Sequence, residues 1–204
     1  MEKPFVSNSS ESTRMFKRDW MEPFSKVHYS LPLIVFVPVI SYFLYKSIIT
    51  VTPWYFIILL YAAGILAWSL AEYILHRFLF HYVPKGKIGA RIHFIFHGVH
   101  HDYPNDAMRL VMPPAMSVPL AVLFYFLFKF IFGEVIMLPF FAGFVSGYLF
   151  YDISHYAIHH INFKNKFWLQ LKKHHMFHHY KDSKNGFGVT SNLWDKIFRT
   201  DFNS

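Results

Sequence analysis

The amino-acid sequence predicts an all-α integral membrane protein, with four transmembrane helices in two hairpins and a histidine-rich helical cap facing the cytoplasm. Three observations predict it. The 204 residues are 54% hydrophobic and 21% aromatic but only 16% charged, more apolar surface than a water-facing domain can hide. Four stretches, residues 29–45, 54–71, 110–128 and 135–151, contain no Asp, Glu, His, Lys or Arg. All 14 histidines fall outside them, on one side of the topology that the stretches imply.

The length suits a single domain spanning 1–204: a polar N-terminal segment over 1–28, four spans with an intervening metal-binding segment over 29–151, and a C-terminal metal-binding cap over 152–204. Nothing in the polar, mixed-charge start resembles a signal peptide. The stretches "YSLPLIVFVPVISYFLY" and "WYFIILLYAAGILAWSLA", with the two later ones, sit at the short end of the roughly 20 residues that cross a hydrocarbon core. Pro32, Pro38, Pro119 and Pro139 do not exclude them, because membrane helices tolerate proline. A soluble all-α protein is the alternative, and too few polar residues remain to coat it.

The turns "KSIITVTP" and "KFIFGE" are short, so each pair of spans should form a hairpin. The N-terminus, residues 72–109 and residues 152–204 then share one side. Of 20 Lys and Arg residues, Lys46 and Lys129 alone lie opposite, which predicts a cytoplasmic location for the large segments and both termini. The membrane would be the endoplasmic reticulum in a eukaryote or the inner membrane in a bacterium. The net charge of +8 fits anionic lipid headgroups better than nucleic acid, for which neither zinc-finger spacing nor an arginine-interleaved stacking platform is present. The chain has no cysteine, which excludes disulfides and thiolate ligands.

The histidines recur at helical spacing. "HRFLFH" carries His76 and His81, "HGVHH" carries His97, His100 and His101, "HYAIHH" carries His155 and His159, and "HHMFHH" carries His175, His178 and His179. Residues three and four apart share a helix face, so each cluster of three should point one way, whereas His76 and His81 need a bend or helix end between them. Ten imidazoles are too many for one ion and suit two, with four or five nitrogens each and a position left open. Iron, zinc, copper and nickel all accept imidazole. Metal-bound histidine usually donates its second ring N–H to a carboxylate, carbonyl or water, which makes Glu72 and Asp152 outer-shell candidates. Their alternative is that of charges at helix ends. Asp106 and Arg109, before the third span, are assigned first a structural role and second a lipid contact. Gly186 and Gly188 mark a loop before a short helix that could lie on the membrane, and the loop lacks the Walker spacing of a phosphate loop.

These motifs resemble the fatty acid hydroxylase superfamily, whose signature is a spaced histidine pair followed by two HxxHH clusters. The stretches "HHDYPNDAMRLVMPP" and "KNGFGVTSNLWDKIF" are similar to those of the fatty acid 2-hydroxylase branch, which acts on sphingolipid acyl chains. The resemblance covers roughly residues 60 to 200. It implies a four-helix anchor under a cytoplasmic dimetal centre, with the ten histidines above as ligands. His93, His160 and His174 fall outside that set as outer-shell or surface residues.

The activity it implies is an O2-dependent monooxygenase hydroxylating carbon 2 of a membrane lipid acyl chain, with iron expected in the active enzyme, while purified material could hold zinc instead. Many eukaryotic members carry a fused cytochrome b5 domain. With 28 residues before the first span, electrons are expected from a separate donor such as cytochrome b5 or ferredoxin with its reductase. No nucleic-acid partner is expected. Aromatic residues beside the clusters, Phe78, Phe80, Phe94, Phe96, Tyr151 and Tyr156, are candidates to line an acyl pocket. Three other readings remain: a sterol, carotenoid or alkane hydroxylase or desaturase of the same superfamily; a hydrolase, disfavoured because the clusters are carboxylate-poor; and a metal transporter, disfavoured because no ionisable group lies within a span.

Overall fold

The computed structural model describes residues 5–7, 9–51 and 53–202, all helix, turn or loop among them. The protein is an all-α, multi-pass membrane protein, and among the described residues three helices are long and apolar enough to cross a membrane. Helix α1 spans Ser30–Thr50 and α2 spans Trp54–Ile74, running on through a π-helical turn, Leu75–Phe80. Helix α3, Gly86–His93, continues through a second π-turn, Phe94–Gly98, into α4, Val99–Asp102. Helix α5 is Pro114–His160, α6 is Lys166–Tyr180 and α7 is Leu193–Ile197.

Unbent, the 47 residues of α5 would extend about 70 Å, more than twice the hydrocarbon thickness of about 30 Å. The helix breaks at Gly133 (φ 75°, ψ 174°), a conformation that glycine reaches without a Cβ clash. Beyond it the chain doubles back. Phe132 and Phe128 each meet Phe140 at 4.9 Å between ring centroids, Phe128 also meets Phe144 at 4.9 Å, and Phe124 meets Phe144 at 4.7 Å. That ladder is the signature of two antiparallel limbs, 114–132 and 134–160. An ion pair between Lys129 and Glu134 sits at the exposed tip.

Several boundaries differ from the sequence reading. The third span starts at Pro114 rather than Leu110, because Pro113 precedes another proline and is held extended (ψ 140°). Helices α1 and α2 extend their apolar stretches at the C-terminal end, and α5 takes in both later stretches, so the turns shrink to residues 51–53 and to Gly133. The consecutive helices α1 and α2 touch little, and both pack mainly on α5.

In lipid there is no hydrophobic force between helices, so close packing and interhelical hydrogen bonds hold them. The α2–α5 contact shows both. A Cβ on Gly64 would lie 2.1 Å from the Phe140 carbonyl oxygen, and one on Gly143 would lie 2.0 Å from that of Tyr61. The Tyr61 hydroxyl donates to Ser146 Oγ at 2.8 Å. Outward-facing apolar side chains such as Phe130, 88% exposed, form the lipid-facing surface.

One end of the bundle gathers the start of α1, the end of α2 and both ends of α5. Tyr29 stacks on Tyr156 at 4.8 Å, the Met112 amide donates to Asp152 Oδ1 at 3.0 Å, and the Val27 amide donates to the Met108 carbonyl at 2.8 Å. The histidines lie at this end.

Candidate metal centre

Ten histidines converge there in two groups of five: His76, His81, His97, His101 and His178, and His100, His155, His159, His175 and His179. In the first, Nε2 of His76 lies 3.1 Å from that of His97 and 3.2 Å from that of His81. His101 and His97 are 3.0 Å apart, His178 and His81 2.9 Å. In the second, Nε2 of His175 lies 2.9, 3.0 and 3.1 Å from those of His155, His159 and His179.

Local backbone explains how each ring arrives. The π-turn after α2 closes with the His81 amide donating to the His76 carbonyl, a five-residue step that puts both rings on one face. The boxes "HGVHH" and "HHMFHH" do not point one way, as spacing alone suggested. His97 and His101 serve the first group and His100 the second, while His175 and His179 serve the second and His178 the first. At about 100° per residue, positions three and four along a helix diverge by about 100°, so a box straddles two centres. The two groups are therefore counterparts: a pair from the end of a long helix, a pair from one box, and a single ring crossing over from the other.

The residues fit metal ions. Nitrogens about 2.1 Å from a common ion stand about 3.0 Å apart along an octahedral edge, close to the spacings above. His76 and His178 donate Nδ1–H to the carbonyls of Phe187 (2.5 Å) and Asn185 (2.7 Å), which fixes the tautomer and leaves lone pairs on Nε2 facing their neighbours. Such facing lone pairs repel unless a cation sits between them. Among the described residues both ring nitrogens of His100 are buried without a hydrogen-bond partner, amid the rings of His155, His159 and His179 at 4.5 to 4.8 Å. Burial, with the neighbouring imidazoles, pushes His81 down to about 2, and burial chiefly pushes His178 down to about 4. His97, His100, His101, His175 and His179 are lowered for the same reason. These rings are therefore neutral at neutral pH, the state in which imidazole can accept a metal ion.

The outer shell differs from the sequence reading. Glu72 and Asp152 are buried, but their recorded partners are not imidazoles. Glu72 accepts from the Val189 and Thr190 amides and the Thr190 hydroxyl; Asp152 accepts from the Met112 amide and the Tyr148 hydroxyl. Carbonyls take the ring N–H groups instead, those of Phe187 and Asn185 and, for His159, that of Pro104. His174 binds Asp195 at 3.2 Å, His93 packs on Gly98, and His160 is exposed beside Tyr156. Burial pushes the Asp195 carboxyl up, but its hydrogen bonds with His174, Gly188, Thr200 and Phe187 outweigh that and hold it below the usual carboxylate range. Asp195 was not singled out by sequence, where it is one more charge in a short amphipathic helix.

An apolar cavity of about 350 Å³ reaches both groups, at His97 and at His100 and His155. Phe80, Phe96 and Tyr151 line it, with Leu110, Met112 and Met116; Phe78, Phe94 and Tyr156 are not among its lining residues. Its outer wall is unexpected. Met15, Phe16, Trp20, Met21 and Phe24, of the segment read as merely polar, line it too. Arg109, whose side chain is 1% exposed, pins that segment through Glu22 Oε1 (2.6 Å), the Thr13 and Ser25 carbonyls and Asp106 (3.2 Å). Asp106 in turn accepts from Ser12 at 2.6 Å, the structural role assigned first to this pair.

The family model described as fatty acid hydroxylase matches residues 61–200. The chain is 39% identical over 187 residues to the ceramide very long chain fatty acid hydroxylase scs7 of Schizosaccharomyces pombe, covering 90% of this chain and 53% of that protein. It is 38% identical over 191 residues to the dihydroceramide fatty acyl 2-hydroxylase FAH2 of Arabidopsis thaliana, covering 93% and 80%. A solved structure described as full-length scs7p, with only its hydroxylase domain visible, superposes with a TM-score of 0.86 at 37% identity, over 90% of this chain and 70% of that one. The chain thus spans about half the length of the first of these relatives.

Proposed function

The chain belongs to the fatty acid hydroxylase family, and from that premise we propose that it is a dimetal, O2-dependent monooxygenase that hydroxylates carbon 2 of a fatty acyl chain in a membrane lipid. The observation that carries the reading is the apolar cavity that meets both histidine groups, because an acyl chain lying in it would have a C–H bond beside both metal-binding groups. In the balanced reaction one oxygen atom enters the C–H bond, the other leaves as water, and two electrons and two protons come from outside.

His76, His81, His97, His101 and His178 would hold one ion and His100, His155, His159, His175 and His179 the other, with iron as the working metal. When bound, such ions supply the redox chemistry that dioxygen activation needs and that side chains lack. The chain's own part is placement and exclusion. The rings are preset with Nε2 inward, Leu110, Met112 and Met116 guide the acyl chain, and Met15, Phe16 and Trp20 keep water off the site. No side chain is assigned as general base, since the histidines at the cavity are the ligands themselves.

The two limbs of α5 suggest four crossings with the centre and both termini on the cytoplasmic side, so that an acyl chain enters from the bilayer and a separate electron carrier, such as cytochrome b5 or ferredoxin, docks from water. Ceramide or dihydroceramide acyl chains are the favoured substrates, in line with what the relatives' names state of them.

The test is lipid analysis. Cells lacking their own acyl 2-hydroxylase and making this protein should accumulate 2-hydroxy acyl lipids that take up heavy oxygen from labelled dioxygen. His97→Ala and His175→Ala should each abolish that product. Unchanged levels in both variants would reject the assignment, and oxygen appearing on a sterol ring would move it to another branch.

A further inference from the structure

The connection between α6 and α7 is bonded on two sides. Toward the histidines, the carbonyls of Asn185 and Phe187 accept from His178 and His76, at 2.7 and 2.5 Å. Away from them, four successive amides donate to two buried carboxylates. Phe187 and Gly188 donate to Oδ1 and Oδ2 of Asp195 (2.9 and 2.8 Å), Val189 and Thr190 to Oε1 of Glu72 (2.7 and 3.0 Å). Asp195 is fully buried and also accepts from the Thr200 hydroxyl at 2.8 Å.

Two glycines permit the path. Gly186, at φ 74°, turns the chain between the two carbonyls. At Gly188 a Cβ would lie 2.0 Å from the Ser191 carbonyl oxygen and 2.9 Å from Asp195 Oδ2, so no larger residue lets the carboxylate reach this backbone. Both rings that the loop holds belong to the same group of five. The recorded outer contact of the other group, Pro104 on His159, comes from a different segment.

We propose that Asp195, with Glu72 as its counterpart, is a positioning residue for one metal of the pair: it anchors the loop carbonyls that orient His76 and His178, and it leaves the second metal alone. The inference rests on the dimetal reading and adds an asymmetry to it. Breaking an outer-shell contact costs about 10- to 100-fold in metal affinity. Asp195→Asn keeps the shape but presents an NH2 group where the Gly188 amide and His174 now meet an acceptor. Glu72→Gln is milder, because its amide oxygen still accepts from two amides and its NH2 can donate to the Thr190 hydroxyl.

The experiment uses the full chain in detergent, reconstituted anaerobically with iron(II), with bound iron per chain and stepwise affinities measured by chelator competition. The parent should hold two ions. In Asp195→Asn one should weaken by about 10- to 100-fold and the other should keep the parent's affinity. Glu72→Ala should repeat that pattern and Glu72→Gln should restore both ions. His179→Ala, from the other group, marks which step is which. Asp195→Asn or Glu72→Ala holding both ions as tightly as the parent would overturn the proposal, as would equal weakening of the two. If Asp195→Asn fails to fold, the Glu72→Ala and Glu72→Gln pair decides it by the same criterion. A parent that binds no iron would instead overturn the dimetal reading.

Discussion

At the scale of single residues, the site is a problem of protons. Nine of the ten imidazoles face one another Nε2 to Nε2, and a buried polar atom without a partner costs about 1–3 kcal/mol, as at both nitrogens of His100 among the described residues. Ions in the two groups would resolve this, so chelation should lower the thermal midpoint and added iron should restore it, read by unfolding in detergent. The same burial sets the pH dependence of the metal-free protein. His178 sits at about 4 in the fold against about 6.5 when unfolded, and His81 lower still, so the unfolded chain binds more protons between those values. Stability of the metal-free form should therefore be full above about pH 6.5 and fall as the pH drops toward 4. A thermal midpoint flat across that window would contradict the burial of these rings. Which residues are histidine was plain from the sequence; that carbonyls rather than Glu72 and Asp152 orient them was not, because the loop bearing those carbonyls is 111 positions from His76 in the case of Phe187.

At the scale of elements, two local features do what helix periodicity does not. A π-turn aligns His76 with His81, where spacing asked for a bend, and Gly133 folds one apolar helix into two limbs. The apolar runs were legible because charge is absent from them. Their ends were not, since Lys46 and Lys129 continue a helix as readily as they end one. Close packing and backbone conformation give one prediction each. Gly64→Ala drives a methyl into the Phe140 carbonyl and should destabilise by about 1–3 kcal/mol. Gly133→Ala meets no described atom within 4 Å and should cost the backbone strain alone, about 1–3 kcal/mol in this glycine-only region. Thermal midpoints of the two variants, read in one detergent, check both: a variant as stable as the parent would contradict its close approach or its strain.

At the scale of the whole molecule, the N-terminal segment supplies part of the lining of the apolar cavity. Its grip is concentrated in Arg109, whose guanidinium ties Glu22, Asp106 and two carbonyls together in a buried setting. Removing one partner of a buried ion pair costs about 3–5 kcal/mol, so Arg109→Met should release the segment. Trypsin should then cut faster at Lys17 and Arg18, and hydroxylation should slow as water reaches the cavity, while the iron content stays at the parent's level. Unchanged cleavage would mean that the apolar side chains, rather than Arg109, hold the wall.

The sequence by itself determined the class of the protein, the helical membrane anchor, the family and the ten histidines, because composition and spacing of three to five residues act locally. Tertiary structure alone decided how those histidines divide between two centres, which carbonyls aim them, and that Met15 to Phe24 wall the cavity. Each of these depends on where distant segments meet, and a helix turning about 100° per residue leaves that open until its neighbours are in place.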